Sequence, residues 1–167
     1  EDMTKGLNII ETCGRTDINI EGIAYDSRKV KEGFLFVCID GTVVDGHDYI
    51  PDALNNGACA LLVEKNVKVP EGITVVRIKD TRYGLSFVSD VFFRHPSGKF
   101  NLIGITGTKG KTTTTYMIKS ILECNGHKVG LVGTLGSMID KKIIYTDRTT
   151  PESYDLQFMF SEMAEQK

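Results

Sequence analysis

A glycine-rich turn lies between a short apolar run and a segment of helical period, and it carries residue types that bind phosphate. The turn reads Gly-Thr-Lys-Gly-Lys-Thr-Thr over residues 107–113 and directly follows the apolar run Leu102 to Thr106. Glycines let backbone N–H groups converge on phosphate oxygens without a Cβ clash, and the helix that follows adds the positive end of its dipole. The spacing therefore predicts an ATP site made of Gly107, Thr108, Lys109, Gly110, Lys111, Thr112 and Thr113.

Two side chains of this turn could take part in phosphoryl transfer. Lys111 can reach the β- and γ-phosphates and neutralise the charge that develops on the transferred group. Thr112 offers a hydroxyl to Mg²⁺. We therefore predict Lys111 as a catalytic residue and Thr112 as a metal ligand, with ATP and Mg²⁺ as cofactors.

The spacing differs from that of the common phosphate loop. Ile105 occupies the position of that loop's first glycine, and the first glycine here is Gly107. A glycine turn that merely precedes Lys-Thr-Thr is the alternative interpretation, but the strand, turn and helix together favour nucleotide binding. One face of the helix carries Met117, Ile118, Ile121 and Leu122, which we interpret as core rather than as ligand contacts.

Composition and charge narrow the class of protein. With 41% apolar and 25% charged residues, the chain has an ordinary globular composition. Its net charge of −2 gives no general cationic field for nucleic acid or an anionic membrane, so we expect neither as a partner. The longest apolar run, residues 34–39, is far shorter than the roughly 20 residues that span a bilayer. The start of the chain also lacks the pattern of a secretory signal, and we therefore expect a cytoplasmic protein.

The elements that must position the glycine turn follow an α/β pattern, in which short apolar runs alternate with segments of helical period. Helices are predicted from Tyr49 to Asn56, from an N-cap at Thr81 to about Arg94, and from Lys111 to about Asn125. Another is predicted to begin at Thr150 and Pro151, as N-cap and first residue. Strands are predicted at Ile20 to Tyr25, Phe34 to Ile39, Ala58 to Glu64, Thr74 to Ile78, Leu102 to Thr106 and Val129 to Gly133.

The tetrapeptide His95-Pro96-Ser97-Gly98 is the best candidate for a domain boundary, because proline disfavours helix at the preceding residue and glycine loosens the chain. It divides the sequence into domains 1–97 and 98–167. The second part would contain two parallel strands, which cannot cover their own faces, and about 70 residues are too few for a complete parallel-sheet domain. We therefore expect the chain to be a fragment of a longer protein.

Several motifs together resemble those of the Mur ligases, which use ATP to join amino acids to a UDP-linked muramic acid. The string Gly-Thr-Lys-Gly-Lys-Thr-Thr-Thr resembles the variant phosphate loop of that family. Gly133-Thr134 and Thr149-Thr150-Pro151-Glu152 resemble the member that adds the third peptide residue. The N-terminal part resembles the UDP-binding domain through an ordered series: Asp26-Ser27-Arg28, Gly33 to Val37, Gly41, Asp45-Gly46-His47, Ala53 and Gly57-Ala58.

The resemblance implies a small N-terminal α/β UDP-binding domain followed by the start of a phosphate-loop, doubly wound parallel-sheet ATPase domain. It also implies an ATP-dependent amide-bond ligase that adds meso-diaminopimelate or L-lysine to UDP-N-acetylmuramoyl-L-alanyl-D-glutamate through an acyl phosphate. The UDP-linked substrate and the diamino acid would be its partners, and we expect the protein to be a monomer. We expect this chain, as a fragment of that protein, to lack full activity. Substrate contacts are implied for Tyr25, Ser27, Thr42, Val43, Val44, Arg148, Thr149 and Thr150.

Two residues depart from the family pattern, and other interpretations stay open. Lys109 stands where asparagine is common in the loop, and Arg148 stands where asparagine usually precedes the threonine pair. The member that adds D-alanyl-D-alanine is one alternative, a nucleotide-gated binding module or regulatory NTPase is a second, and a stand-alone ligand-binding domain over residues 1–97 is a third. The three histidines, His47, His95 and His127, we interpret as turn or linker residues rather than catalytic bases.

Overall fold

The computed structural model of the chain describes residues 3–139, the backbone of 142–144, and residues 151–166. The chain divides into two compact units, Glu1–Phe92 and Phe93–Lys167. The division lies a few residues before the boundary expected at 97/98, which stays a prediction. The chain is a mixed α/β protein in which the larger sheet is mainly parallel, as the sequence predicts.

The first unit contains a five-stranded sheet in the order β1-β5-β4-β3-β2. Strands β2 to β5 are mutually parallel, and β1 pairs antiparallel with β5 at one edge. The strands are β1 (Ile9–Cys13), β2 (Gly22–Ala24), β3 (Phe34–Val37), β4 (Ala58–Val63) and β5 (Thr74–Ile78). The four predicted strands of this unit are therefore confirmed, whereas β1 was not predicted.

Helices cover both faces of this sheet, which parallel strands require. Helix α1 (Ile50–Asn55) follows a 3₁₀ turn at Gly46–Tyr49, and its Ile50 joins the buried cluster that contains Phe36 and Leu61. Helix α2 (Thr81–Phe92) packs against the opposite face, where its Gly84 lies against Leu62 and Ile78. The core of the first unit is thus formed on both sides of β3, β4 and β5.

The predicted start of α2 is wrong by one residue. Asp80, not Thr81, caps the helix, because its carboxylate accepts a hydrogen bond of 2.8 Å from the Tyr83 amide. The Thr81 hydroxyl is instead buried and lies 2.7 Å from the Cys38 carbonyl oxygen and 2.8 Å from Glu64 Oε1. Asp and Thr are both favoured caps, so the sequence alone did not choose between these neighbours.

The second unit contains helices α3 (Lys111–Cys124) and α4 (Ser153–Glu165), a 3₁₀ turn at Pro96–Lys99 and a three-stranded sheet. The strands are β6 (Leu131–Gly133), β7 (Gly136–Ile139) and β8 (Lys142–Ile144), and both pairs are antiparallel. The strand predicted at residues 102–106 is wrong, since this segment has no regular structure. A parallel sheet in this unit is therefore not seen within the described residues.

The segment of residues 102–106 and strand β6 differ in the partners that lie near them in sequence. Strands β6 and β7 meet through a two-residue turn at Thr134 and Leu135, so their hydrogen bonds close a very short loop. A parallel strand at residues 102–106 would need a neighbour from a distant part of the chain. Without one, Leu102 and Ile103 stay more than half exposed.

The apolar face predicted for α3 is likewise not a core face in the structure. Met117 and Ile121 are 60% and 68% exposed, and no residue of α3 is buried. A cavity of about 460 Å³ lies within the second unit, lined by α3, β6, α4 and the segment that begins at Phe100. Most of the residues that line this cavity are apolar, and the parallel sheet predicted for this unit is not seen beside α3 within the described residues.

The predicted start of α4 also differs. The helix begins at Ser153 with Glu152 as its N-cap, so Pro151 precedes the helix and is not its first residue. Arg148, Thr149 and Thr150, for which substrate contacts are expected, lie outside the described residues.

Candidate functional site

The glycine turn of the second unit keeps an open, solvent-exposed conformation before α3. Gly107 and Gly110 both have positive φ, 155° and 79°, and Gly110 is the N-cap of the helix. A Cβ atom on Gly110 would meet no other atom within 4 Å, so its backbone angle, not crowding, favours glycine. The turn therefore leaves room for a ligand along its backbone.

Lys111 stands at the first position of α3 and points back over the turn. Its Nζ donates a hydrogen bond of 2.6 Å to the Gly107 carbonyl oxygen. The first intrahelical hydrogen bond runs from the Thr114 amide to the Gly110 oxygen, so the amides of Lys111, Thr112 and Thr113 have no acceptor within the helix. An ammonium group and the positive end of a helix thus face the same exposed space, which suits a polyphosphate.

The fit of a magnesium ion to this turn depends on Thr112. Its hydroxyl lies on an exposed residue in the first turn of α3. Among the described residues, no group of three or more histidine, cysteine or acidic side chains could hold a metal ion. The Thr112 hydroxyl is an oxygen donor of the kind that Mg²⁺ accepts, and its exposed position leaves it accessible to such an ion.

Five of the predicted substrate contacts lie in the first unit, at the carboxyl edge of its parallel strands. Tyr25 and Ser27 follow β2, and Thr42, Val43 and Val44 lie in the loop that follows β3. Ser27 is buried, Tyr25 is half-buried and Val43 is 92% exposed. Ligands of open parallel sheets bind at this edge, so these five residues lie where a substrate is expected.

The segment of residues 40–45, here called the β3 loop, is a tight hairpin. Asp40 and Asp45 form an isolated antiparallel bridge, and the Gly41 amide donates a hydrogen bond of 3.0 Å to the Val44 oxygen. Gly46 approaches the backbone so closely that a Cβ would lie 2.7 Å from the Ile39 nitrogen. Glycine is therefore required at the base of the loop, and Thr42 and Val43 form its exposed tip.

Asp26 and Arg28 form an ion pair beside Ser27. The Asp26 carboxylate caps the 3₁₀ turn at Ser27–Lys29 through the Arg28 amide and accepts hydrogen bonds of 2.9 and 2.8 Å from the Arg28 guanidinium. The hydrogen bond from Arg28 holds the pKa of Asp26 below its ordinary value. The pair fixes the turn that carries Ser27.

Sequence reasoning missed a polar cluster at the same edge, formed by Asp45, His47, Glu64 and Lys65. His47 Nδ1 lies 2.6 Å from Asp45 Oδ1, and the Glu64 amide donates a hydrogen bond of 3.0 Å to His47 Nε2. Lys65 donates to the other oxygen of Asp45. His47 does lie in a 3₁₀ turn, as expected of a turn histidine, but its side chain is only 7% exposed. The spacing of 17 residues between His47 and Glu64 gave no local signal of this contact.

Two family models match the chain, one in each unit. The model described as "Mur ligase family, catalytic domain" matches residues 19–85, and the one described as "Mur ligase middle domain" matches residues 105–167. Together they take in most of the sequence, including the carboxyl edge of the first sheet and the glycine turn. The chain belongs to the Mur ligase family.

Curated Mur ligases align with nearly the whole chain. A "UDP-N-acetylmuramoyl-L-alanyl-D-glutamate--2,6-diaminopimelate ligase" of Clostridioides difficile is 49% identical over 97% of this chain and 33% of that protein. A ligase of the same name from Alkaliphilus metalliredigens is 47% identical over 99% of this chain and 34% of that protein. The chain thus spans about a third of the length of the curated relatives that it matches.

Solved Mur ligase structures share the fold. A structure of a UDP-N-acetylmuramoyl-L-alanyl-D-glutamate–2,6-diaminopimelate ligase has a TM-score of 0.68, with 24% identity over 88% of this chain and 30% of that chain. The D-alanyl-D-alanyl ligase of Acinetobacter baumannii has a TM-score of 0.52, with 25% identity over 86% of this chain and 28% of that chain. No helix within the described residues is long and apolar enough to cross a membrane.

Proposed function

We propose that this chain is the first part of the Mur ligase that adds 2,6-diaminopimelate to UDP-N-acetylmuramoyl-L-alanyl-D-glutamate in peptidoglycan synthesis. Residues 1–97 would bind the UDP end of the substrate, and residues 98–167 would begin the ATP-binding domain. The proposal places the protein in the cytoplasm as a monomer with small-molecule partners. The names of the relatives, which are 42–49% identical, favour diaminopimelate over L-lysine.

The observation that carries the proposal is the pairing of Lys111 with the exposed turn at the start of α3. A lysine ammonium 2.6 Å from a loop carbonyl, beside helix amides that lack intrahelical acceptors, is suited to a triphosphate. The carboxyl edge of the first sheet adds a second site, at Tyr25, Ser27 and the β3 loop. A regulatory NTPase would need the first of these features but not the second.

The reaction proposed for the whole protein has two steps. An oxygen of the D-glutamate carboxylate attacks the γ-phosphorus of ATP, which forms an acyl phosphate and releases ADP. The amine of diaminopimelate then attacks the acyl carbon, so that an amide bond forms, inorganic phosphate leaves and the amine loses a proton.

In this scheme, the residues of the turn act on the phosphate groups. Lys111 would exchange the Gly107 oxygen for a β- or γ-phosphate oxygen and would stabilise negative charge as the phosphoryl group moves. The amides of Gly107 to Thr113 would orient the triphosphate. Mg²⁺, when bound with Thr112 as a ligand, neutralises charge on the phosphates.

At the other site, Ser27 and the tip of the β3 loop would hold the uridine end of the substrate. Ser27 is buried in the 3₁₀ turn that follows β2, and Asn56 Nδ2 donates a hydrogen bond of 2.9 Å to its carbonyl oxygen, which fixes the backbone there. Arg148, Thr149 and Thr150 are proposed to contact the peptide part of the substrate. The departure of Arg148 from the family pattern makes it a useful residue to substitute.

Titration calorimetry with two ligands tests the proposal. The chain is titrated with ATP·Mg²⁺ and, separately, with UDP-N-acetylmuramoyl-L-alanyl-D-glutamate. We expect binding of both, and we expect Lys111→Ala to lose the first while retaining the second. Binding of ATP without any binding of the UDP-muramyl peptide would contradict the proposal and favour the regulatory NTPase.

A further inference from the structure

We propose that His47 is a positioning residue for the β3 loop, and that its two ring nitrogens hold the loop in the conformation that binds the UDP end of the substrate. The inference rests on the proposed function, since the loop's role as a substrate contact is part of it. His47 itself lies at the base of the loop, and its side chain is almost completely buried. It would act through the loop rather than by touching the ligand.

The hydrogen-bond partners of His47 determine which of its ring nitrogens carries the proton. The Glu64 backbone N–H can only donate, so His47 Nε2 must accept with a lone pair. The ring proton is therefore on Nδ1, from which it is donated to Asp45 Oδ1 at 2.6 Å. This arrangement describes a neutral imidazole in one tautomer that links the end of β4 to the base of the loop.

Asp45 transmits this link to the loop. Its Oδ1 also accepts a hydrogen bond of 2.9 Å from the His47 amide, and its Oδ2 accepts from Lys65. Lys65 Nζ also lies 3.4 Å from Asp40 Oδ2, so both ends of the hairpin are tied to the residue that follows Glu64. The clamp, defined here as Asp45, His47 and Lys65, therefore joins the two ends of the β3 loop to the carboxyl end of β4.

The tip of the loop has little support of its own. Val43 is 92% exposed, so packing does little to fix its side chain, and Val44 is about half exposed at 49%. Within the loop, the Gly41 amide bonds to the Val44 oxygen, and Gly46 bonds to the Ile39 oxygen at 2.8 Å. The position of Thr42 and Val43 relative to Ser27 is thus set at the base of the hairpin, where the clamp lies.

Three substitutions of His47 distinguish a role in positioning the β3 loop from a role in folding alone. Gln at residue 47 has an amide oxygen that can accept from the Glu64 amide and an NH₂ group that can donate to Asp45, Asn can reach Asp45 but not Glu64, and Ala can reach neither. We expect His47→Gln to keep most of the wild-type affinity for UDP-N-acetylmuramoyl-L-alanyl-D-glutamate. His47→Asn and His47→Ala should each bind at least about tenfold more weakly, because either change breaks the link between β4 and the base of the loop. The affinity for ATP·Mg²⁺ should not change, and His127→Gln serves as the matched control.

Amide hydrogen exchange of the unliganded chain provides a second readout that needs no ligand. Exchange at Glu64, Gly41 and Gly46 should accelerate in His47→Ala and His47→Asn but not in His47→Gln. Equal substrate affinity in wild type and His47→Ala would overturn the proposal, as would loss of binding in His47→Gln to the level of His47→Ala. If the wild-type chain bound no UDP-muramyl peptide, the proposed function would fail, and unchanged exchange in His47→Ala would then refute the clamp separately.

Discussion

Lys111 Nζ lies 2.6 Å from the carbonyl oxygen of Gly107, four residues earlier in the chain. The hydrogen bond holds a positive charge directly over the glycine turn, where a neutral carbonyl is its acceptor. A phosphate oxygen is a stronger acceptor for an ammonium group than a carbonyl, because the bond is then charge-assisted on both sides. The residue is therefore placed to exchange one acceptor for the other when a nucleotide binds.

Replacing Lys111 with alanine should abolish measurable binding of ATP·Mg²⁺. The change removes the ammonium group that lies within hydrogen-bond distance of the loop backbone. We expect a loss of at least about tenfold in affinity, the lower end for a hydrogen bond to a charged group. Calorimetry measures it directly. Lys99→Ala is the control, since Lys99 is an exposed lysine of the same unit, and equal losses in both variants would indicate a general charge effect instead.

Replacing Ser27 with alanine should weaken binding of UDP-N-acetylmuramoyl-L-alanyl-D-glutamate about tenfold, as expected for loss of a hydrogen bond to a charged or strongly polar ligand group. Ser27 is buried in the 3₁₀ turn that follows β2, at the same edge of the sheet as the β3 loop. Fluorescence competition or calorimetry would give the dissociation constants. The control is Ser86→Ala on α2, whose hydroxyl bonds to the Tyr83 carbonyl oxygen of its own helix. Unchanged affinity in Ser27→Ala would remove this residue from the site.

The parallel strands of the first unit were predictable because each is a short apolar run bounded by turn residues. Strand β1 was not, because all five of its residues, Ile9 to Cys13, are exposed at a sheet edge and show no buried pattern. At residues 102–106 the error was the opposite, since a strand was predicted where the structure has none. The residues of this segment are those of a buried strand, but a strand also needs a hydrogen-bonded partner, and within the described residues no strand pairs with it.

In the candidate site, the features that are contiguous in sequence were likewise predictable, whereas contacts between residues far apart in sequence were not. The turn at Gly107 to Thr113 was predictable because glycine spacing, lysine and helix start are contiguous in sequence. The link from His47 to Glu64 was not, because it depends on how β3 and β4 end at the same edge of the sheet. Parallel pairing brings together residues that are far apart in sequence, and one unaligned sequence does not give the register.

The four cysteines should differ in their reactivity toward a thiol reagent. Burial, and secondarily the negative charge of Asp45, raises the pKa of the Cys38 thiol to about 12, so very little thiolate exists at pH 8. Cys13 and Cys124 are exposed, and Cys59 is partly buried. We expect Cys13 and Cys124 to react first with Ellman's reagent in the native protein and Cys38 to react only after denaturation. Mass spectrometry that found Cys38 modified as fast as Cys13 would contradict the structure.

Asp45 should make the stability of the first unit sensitive to acid. Burial alone would raise its pKa, but hydrogen bonds from Lys65 and His47 outweigh burial and hold the pKa below the ordinary value of 3.8. A lowered carboxylate pKa contributes stability above the ordinary value, and that contribution is lost as pH falls from there through the folded-state pKa. Asp45→Asn should therefore lower the free energy of unfolding at pH 7 and flatten its decline below about pH 4.

Urea unfolding at pH 7, 5, 4 and 3 would measure this difference. Asp17→Asn is the control, because Asp17 pairs with Arg15 on the open surface, where ion pairs contribute little. An acid response in Asp45→Asn that parallels the wild type would show that the clamp does not stabilise the fold through this carboxylate.

A chimera tests most directly whether this chain supplies the UDP-binding and phosphate-binding parts of a tripeptide-forming ligase. The chain would replace the matching third of the Clostridioides difficile ligase, with which it shares 49% identity over 162 residues. The purified chimera is then supplied with ATP, Mg²⁺, UDP-N-acetylmuramoyl-L-alanyl-D-glutamate and 2,6-diaminopimelate. We expect mass spectrometry to detect the UDP-muramyl tripeptide from the chimera and none from its Lys111→Ala variant. A folded chimera that binds ATP but forms no tripeptide, or tripeptide formation that persists in Lys111→Ala, would contradict the account.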